Sequence, residues 1–512
     1  MSEKLKKLFN KHFYWLLTAI VFFETASYFG YIFPNLGNIF FWLITASVLI
    51  LSLKNLRYGA WLAIIELLIS SKGYLFSANI SGTEISIRIA IWLILMSVWL
   101  VYFLSSFFKK VPEKKSIFLK PETYRQNYLY YFFGLFFFIA IGLINGLLHN
   151  DFADVFLDFN GWLYFALLFP LFESIFNKNI AGENPLEPIF RIFSVAISWL
   201  FLKTFILLFF FSHITAGSNL MKSLYHWVRD TGVGEITMMP FGFVRIFFQS
   251  HIFILVAFYV LLMIILKFWD EIKINKKLLV FLILAQTAIT SLIIISYSRS
   301  FWVGLVAAFP FFSFVVIKKY GWKKFLAGVA LTTASIFLAI GLVAGTVNFP
   351  FPKPGADFNI TDALSDRASR INNEAAASSR YALLPELWRE IKNNFIFGGG
   401  FGRTVTYRTS DPRILENNSS GYYTTYAFEW GWLDVWLKIG LFGMLFYLFF
   451  FGKIIIDALK KESWLADCLA ISLLTLAVIN FFTPYINHPL GIGLFLFSAV
   501  AVYLHKKPSS CA

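Results

Sequence analysis

Residues 342–357 read Leu342-Val343-Ala344-Gly345-Thr346-Val347-Asn348-Phe349-Pro350-Phe351-Pro352-Lys353-Pro354-Gly355-Ala356-Asp357. A long apolar run ends here and a mostly polar segment, 346–428, begins. It closes at Phe428-Glu429-Trp430-Gly431-Trp432-Leu433-Asp434, where apolar sequence resumes. On either side the chain is compatible with lipid over hundreds of residues. Backbone inside a bilayer must satisfy its own hydrogen bonds, so irregular polar sequence of this size belongs in water on one face of a membrane. It is also where reactive side chains can be delivered, and function turns on which face that is.

The composition agrees. Of 512 residues 58% are hydrophobic, 20% aromatic and only 14% charged, with a mean hydropathy of +0.68. Soluble domains rarely look like this. Apolar runs of roughly 20 residues are long enough to cross a hydrocarbon core of about 30 Å. The net charge of +15 does not point to nucleic acid, because the excess Lys and Arg falls in short loops between apolar runs, as the positive-inside rule requires. Two cysteines, Cys468 and Cys511, make neither a disulfide framework nor a metal cluster. The N-terminal lysines (Lys4, Lys6, Lys7, Lys11) precede an apolar run with no small-residue cleavage site before Pro34, which reads as an uncleaved first span.

The expected fold is all-α and polytopic, with about 12–14 spans. Apolar runs lie at 13–33, 37–53, 58–77, 86–107, 128–148, 160–178, 189–212, 244–267, 277–297, 300–317, 324–346, 429–451, 464–482 and 487–504. Residues 1–345 then carry eleven spans, 346–428 form a large loop with amphipathic helices, and 429–512 carry three spans and a tail. With the N-terminus inside, the inner loops (54–57, 109–125, 177–188, 267–277, 318–324, 453–461 and the tail at Lys506 and Lys507) are nearly all basic. The outer ones are acidic, mixed or neutral, and the insert holds nine Lys/Arg against eight Asp/Glu. Both termini are expected in the cytoplasm and the insert outside it.

Three outward-facing arginines depart from apolar spans with neutral loops. Arg245 opens the eighth span. Arg299 sits in the turn Ser296-Tyr297-Ser298-Arg299-Ser300. Arg380 opens a helical pattern, Ser378-Ser379-Arg380-Tyr381-Ala382-Leu383-Leu384. A lone one reads as snorkelling; three on one face supply the charge and bidentate donors that a phosphate needs. Glu24, Glu66, Glu173 and Lys203 are expected at membrane depth, where charges are paired or wetted. Lys203 paired with Glu66 or Glu173 is one reading, a substrate pathway the other. In the insert, Thr361–Ala377 reads as partly helical. Leu383, Leu384, Leu387, Trp388 and Ile391 mark an amphipathic helix, lying on the membrane face or capping a cavity. Gly398-Gly399-Gly400-Phe401-Gly402 breaks it, either as a plain turn or as backbone able to approach an anion. Tyr407, Tyr422, Tyr423 and Tyr426 suit an interfacial belt or sugar stacking. Glu429, where the insert re-enters the membrane beside apolar rings, reads either as a base or as the partner of an arginine.

Over roughly 240–455 the chain resembles the O-antigen ligase and polymerase superfamily. Ser298-Arg299-Ser300-Phe301-Trp302 fills the place of the family's Ser-Arg-Gly-like turn before an apolar span. Arg380–Trp388 and Gly398–Gly402 look like its loop helix and Gly-rich turn, and Ile439-Gly440-Leu441-Phe442-Gly443 matches a Thr-Gly-Leu-Ile-Gly pattern. Trp432-Leu433 falls on the Tyr-Leu of the family's His-Asn-x-Tyr-Leu, which puts Glu429 where the family has histidine; the insert contains none. Glu429 takes that role, or an outer histidine such as His251 or His488 does, or the protein works on a different acceptor.

The resemblance implies a glycosyltransferase of the bacterial inner membrane. It would move a glycan from a polyprenyl-pyrophosphate donor to a glycan or glycolipid acceptor at the extracytoplasmic face. Arg299, Arg245 and Arg380 would hold the pyrophosphate, Glu429 would be the base with His251 as alternative, and no cofactor is implied. Asp357, Asp362, Asp366 and Asp411 are scattered, so metal-independent transfer with inversion is expected. Ligase and polymerase remain open. The rival class is a lipid-linked oligosaccharide flippase or transporter, in which paired halves and helices broken at mid-membrane are expected.

Overall fold

In the computed structural model the described residues are 8–80, 82–108, 116–119, 128–177, 186–214, 218–239, 242–352, 365, 375–409, 412–415, 418 and 420–504. The expected partial helix at Thr361–Ala377 lies largely outside them. So do Asp357, Asp362, Asp366, Asp411 and Cys511, the N-terminal lysines 4, 6 and 7, and most of the basic loops 109–125 and 178–185.

The helices are α1 Lys11–Ile32, α2 Pro34–Lys54, α3 Leu56–Ile69, α4 Ile87–Phe107, α5 Leu129–His149, α6 Phe152–Phe159, α7 Leu168–Phe176, α8 Leu186–His213, α9 Asn219–Asp230, α10 Ile252–Lys267, α11 Lys276–Ser296, α12 Arg299–Tyr320, α13 Trp322–Val347, α14 Ala375–Asn393, α15 Gly431–Leu459, α16 Trp464–Ile479 and α17 Pro489–Leu504, with shorter turns between. Sequence sets many of their starts. Asn10, Ser86, Ser218 and Asn275 accept from backbone N–H groups of the first turns of α1, α4, α9 and α11, satisfying donors that no helix can satisfy itself. Pro34 opens α2, where its missing N–H costs nothing.

Among the described residues ten helices are long and apolar enough to cross a membrane, or eleven if the pair Phe152–Phe159 and Trp162–Phe176, bent by 42°, is one span. α16 and α17 are shorter apolar helices. This is an all-α polytopic membrane protein.

Two differences have clear physical causes. The expected span 58–77 stops at Ile69: Ser71 takes a left-handed conformation (φ 52), and the chain leaves as strand β1 Ser77–Ile80, paired antiparallel with β2 Thr83–Ser86. The expected span 244–267 begins instead as a strand. Val244–Phe248 (β4) pairs with Gly234–Met238 (β3), Thr237 opposite Arg245, and Val244, Ile246 and Phe248 alternate inward as period-two burial demands. The helix starts only at Ile252. A third hairpin joins β5 Val405–Arg408 to β6 Tyr422–Thr425. None of the three was expected.

The chain divides into two compact units. The first comprises residues 1–123, 166–301 and 311–363, the second 124–165, 302–310 and 364–512. Two buried carboxylates of the first unit, Glu24 and Glu66, are ion-paired, though not as expected, and a third, Glu173, is held by hydrogen bonds. The Lys203 ammonium donates to both oxygens of Glu24 at 2.8 and 2.9 Å, rather than to Glu66 or Glu173. Glu66 accepts from Arg88 Nε at 3.1 and 3.0 Å. Glu173 accepts from Ser116, from the Ile117 N–H at 3.1 Å and from Asn177 at 2.7 Å.

In the second unit the described part of the insert from α14 onward forms a small module. Leu383, Leu387 and Ile391 of α14 pack with Val405 and Tyr407 of β5, Phe428 and Leu437. The helical spacing was legible; its partner is this hairpin and the start of α15. Burying the three aliphatic side chains contributes about 1.5–3 kcal/mol each.

Candidate active site

The expected site residues fall into two groups, one per unit. In the first, α11 ends at Tyr297, whose left-handed conformation (φ 50) turns the chain at once into α12. β-Carbon crowding makes that conformation costly for a tyrosine; its ring is buried, 5.1 Å from Phe243. Ser298 precedes the helix and Arg299 is its first residue. Arg245 is fixed beside the same turn. Its Nε donates to the Ser296 carbonyl at 3.0 Å, a terminal nitrogen lies 3.4 Å from Glu235, and the guanidinium sits 4.8 Å from the Phe247 ring centroid. Phe247 in turn lies 5.9 Å from Phe301. Strand β4 thus brings the Arg245 guanidinium to the backbone of Ser296, three residues before Arg299 in the chain.

His251 is 1% exposed. Its Nδ1 accepts from the Phe248 N–H at 3.4 Å and its Nε2 lies 3.3 Å from the Thr204 hydroxyl. To act as a base it would have to leave those bonds. His488 uses its Nδ1 at the start of α17, accepting from the Leu490 N–H at 3.5 Å.

In the second unit Arg380 and Glu429 meet. Arg380 Nε donates to the Glu429 carboxylate, both side chains being partly exposed. Both sequence readings of Glu429 thus bear on one pair. The pair is framed by Trp430, whose indole donates to the Arg380 carbonyl at 3.0 Å.

The Gly-rich turn is tied down through its own amides. Gly398 donates to Asn394, Gly399 to Leu437 and Phe401 to Gly142, at 2.9, 2.6 and 3.1 Å, and Gly402 donates to Asp158 at 2.9 Å. Donors already used cannot cradle an anion, so of its two readings the turn fits the structural one. Glycine is required by close approach: a β-carbon on Gly398 (φ 78) would lie 2.6 Å from the Gly440 nitrogen. Gly440, with φ 73 and ψ 176, interrupts α15, and the Leu441 N–H turns to the Phe395 carbonyl at 3.1 Å. This is a broken helix of the kind the sequence did not reveal.

Beneath the turn lies a cluster missed in the sequence. Lys438 bridges Asp158 at 2.5 Å and Asp434 at 2.7 Å, all three side chains at most 5% exposed, and Asn487 donates to Asp434. The Asp434/Lys438 spacing of four residues in an apolar helix was the available signal. Tyr426, half-buried nearby, has its hydroxyl pKa raised, by burial first and then by the charges of Asp158 and Asp154. Tyr407 is buried, whereas Tyr422 and Tyr423 are exposed. Among the described residues no three His, Cys, Asp or Glu gather as a metal site would require.

Helices long and apolar enough to cross a bilayer, and arginines placed at a helix turn and on an insert helix, define a multi-pass membrane protein that carries a polar module. Residues 279–448, which include α12, α14, the Gly-rich turn and the start of α15, match the family model for O-antigen ligase. Over that part of the chain the match supports the O-antigen ligase superfamily, and with it a membrane enzyme of glycan transfer in general. No curated protein and no solved structure matches it.

Proposed function

We propose that the protein transfers a glycan from a polyprenyl-pyrophosphate donor to an acceptor hydroxyl at the extracytoplasmic face, as a ligase or a polymerase, without a metal and with inversion at the anomeric carbon. The leaving group is an already activated lipid pyrophosphate. The protein must supply positive charge where negative charge develops and a base for the hydroxyl. The observation that supports the reading is the Arg245 guanidinium held by the Ser296 carbonyl at the turn that leads into Arg299: a fixed guanidinium at a turn that also carries a second arginine is a donor set suited to a diphosphate. Arg380 holds Glu429. The pair places a carboxylate where it can take the acceptor's proton, and Arg380 can also meet a phosphate.

The atoms balance simply. The acceptor oxygen bonds to the anomeric carbon as the bond to pyrophosphate breaks, the hydroxyl proton passes to Glu429, and lipid pyrophosphate leaves. The test is release of lipid pyrophosphate by the purified full chain in nanodiscs containing EDTA, for wild type, Arg299→Ala and Glu429→Gln. Turnover in the wild type, lost in both variants, supports the assignment. Turnover surviving Glu429→Gln moves the base elsewhere. The break in α15 at Gly440 favours one second reading, a lipid-linked glycan flippase. Donor translocation in proteoliposomes without release of lipid pyrophosphate would establish it.

A further inference from the structure

The cluster under the Gly-rich turn is costly to build and the chemistry above does not use it. Two carboxylates and one ammonium are removed from water, which is tolerable only where partners offset the lost hydration. The partners come from four separate segments. Asp158 is on α6, and its second oxygen takes the Gly402 N–H. Asp434 and Lys438 are on the part of α15 that precedes the Gly440 break. Asn487 lies just before α17.

The half-helix Gly431–Ile439 is therefore held from several sides. Trp432 donates to the Ala477 carbonyl at 2.8 Å and Trp436 to the Phe395 carbonyl at 3.0 Å. Gly431 fits only as glycine, since a β-carbon would sit 2.5 Å from the Asn480 carbonyl oxygen. At its N-terminus the Asp434 N–H donates to the Trp430 carbonyl at 2.8 Å. The Trp430 indole grips the Arg380 carbonyl, and Glu429, the next residue back, takes the Arg380 side chain. Lys438 sits at the other end of this rod, at the centre of the ionic cluster.

We propose that Lys438 is a positioning residue. By bridging Asp158 and Asp434 it locks the half-helix against α6 and the Gly-rich turn, and so fixes the Glu429–Arg380 pair at the helix N-terminus. The inference rests on the proposed roles of that pair only for its effect on rate; its structural half stands by itself.

The test labels the full chain with 5-fluorotryptophan in nanodiscs, with the Trp430 fluorine signal assigned from its loss in Trp430→Phe. Lys438→Met leaves two buried carboxylates facing each other and is open to misfolding. The double variant Lys438→Met/Asp434→Asn keeps the native balance of one net negative charge, and Asp158→Asn keeps the Asp434–Lys438 pair while cutting the tie to α6. In both of these the Trp430 signal is expected to shift or broaden. In Lys453→Met, on the same helix beyond Gly440 and paired only locally with Asp457, it is expected to stay. With donor and acceptor supplied, kcat falls about 100-fold, the scale of a misplacement of about 1 Å, while the donor KM holds within about threefold, as for an interaction made only in the transition state. A Trp430 signal unmoved in both folded variants overturns the inference. A moved signal with kcat unchanged overturns the link to the chemistry. If the wild type releases no lipid pyrophosphate, the proposed function fails and the fluorine signal still decides the structural half.

Discussion

The two units bury charge in different ways. In the first, Lys203 meets Glu24 and Arg88 meets Glu66, one cation to one carboxylate, and each pair joins two helices. In the second, one ammonium faces two carboxylates, and the set ties α6, the Gly-rich turn, half of α15 and the segment before α17. A balanced pair closes locally, with at most a nearby hydroxyl added, as Ser70 donates to Glu66 at 2.6 Å. An unbalanced set must recruit backbone amides and side-chain amides to be tolerated, and so it fixes more of the fold. The difference separates pairs that hold helices together from a cluster that holds a site in place.

Breaking the sets gives the largest effects. Lys203→Met strands Glu24 and is expected to cost about 3–5 kcal/mol, read from thermal unfolding in detergent. The double variant Lys203→Met/Glu24→Leu should recover the loss and end near wild type or above it, because an apolar pair avoids the desolvation of both charges. A double variant as unstable as the single one would mean the first-unit pair also carries a wider network. Next come Arg299→Ala and Glu429→Gln. Each is expected to lower kcat by about 10²–10³-fold with little change in unfolding temperature, since the site rather than the core is touched.

Smaller still is the exposed pair. Arg380→Ala is expected to change stability by no more than about 1 kcal/mol, as partly exposed ion pairs do, while activity falls if the pair works as proposed. The smallest effect is a titration. Tyr426 ionises above its ordinary value because it is buried near Asp158 and Asp154, with Lys438 pulling the other way. Its stabilising contribution is full below the ordinary tyrosine value and is lost as pH rises through the raised one. Lys438→Met should push Tyr426 higher and Asp158→Asn should bring it lower, measured by tyrosinate absorbance against a Tyr426→Phe control. No change in either variant would place Tyr426 outside the field of the second cluster.

Much of the architecture was legible. Apolar runs of membrane length, the polar insert, the spacing of Leu383, Leu387 and Ile391, and the turn at Arg299 all follow from local chemistry. The hairpins were less so: Val244–Phe248 is apolar enough to continue a span, and only its pairing with Gly234–Met238 makes it a strand. Period-two burial over five residues cannot be told from a short piece of apolar helix without knowing what lies opposite.

By itself, then, the sequence determined a polytopic helical membrane protein with a folded polar insert, because hydrophobicity and helix capping act over a few turns of chain. It also placed Arg299 at the turn before a span and Arg380 and Glu429 in and beside the insert, while Arg245, expected to open a span, lies in strand β4. Only the tertiary structure decided that Lys203 chooses Glu24, that Arg380 holds Glu429, and that Lys438 reaches Asp158 far back in the chain. Partners distant in sequence are selected by which helices pack together, and the field of a charge depends on that packing rather than on its neighbours along the chain.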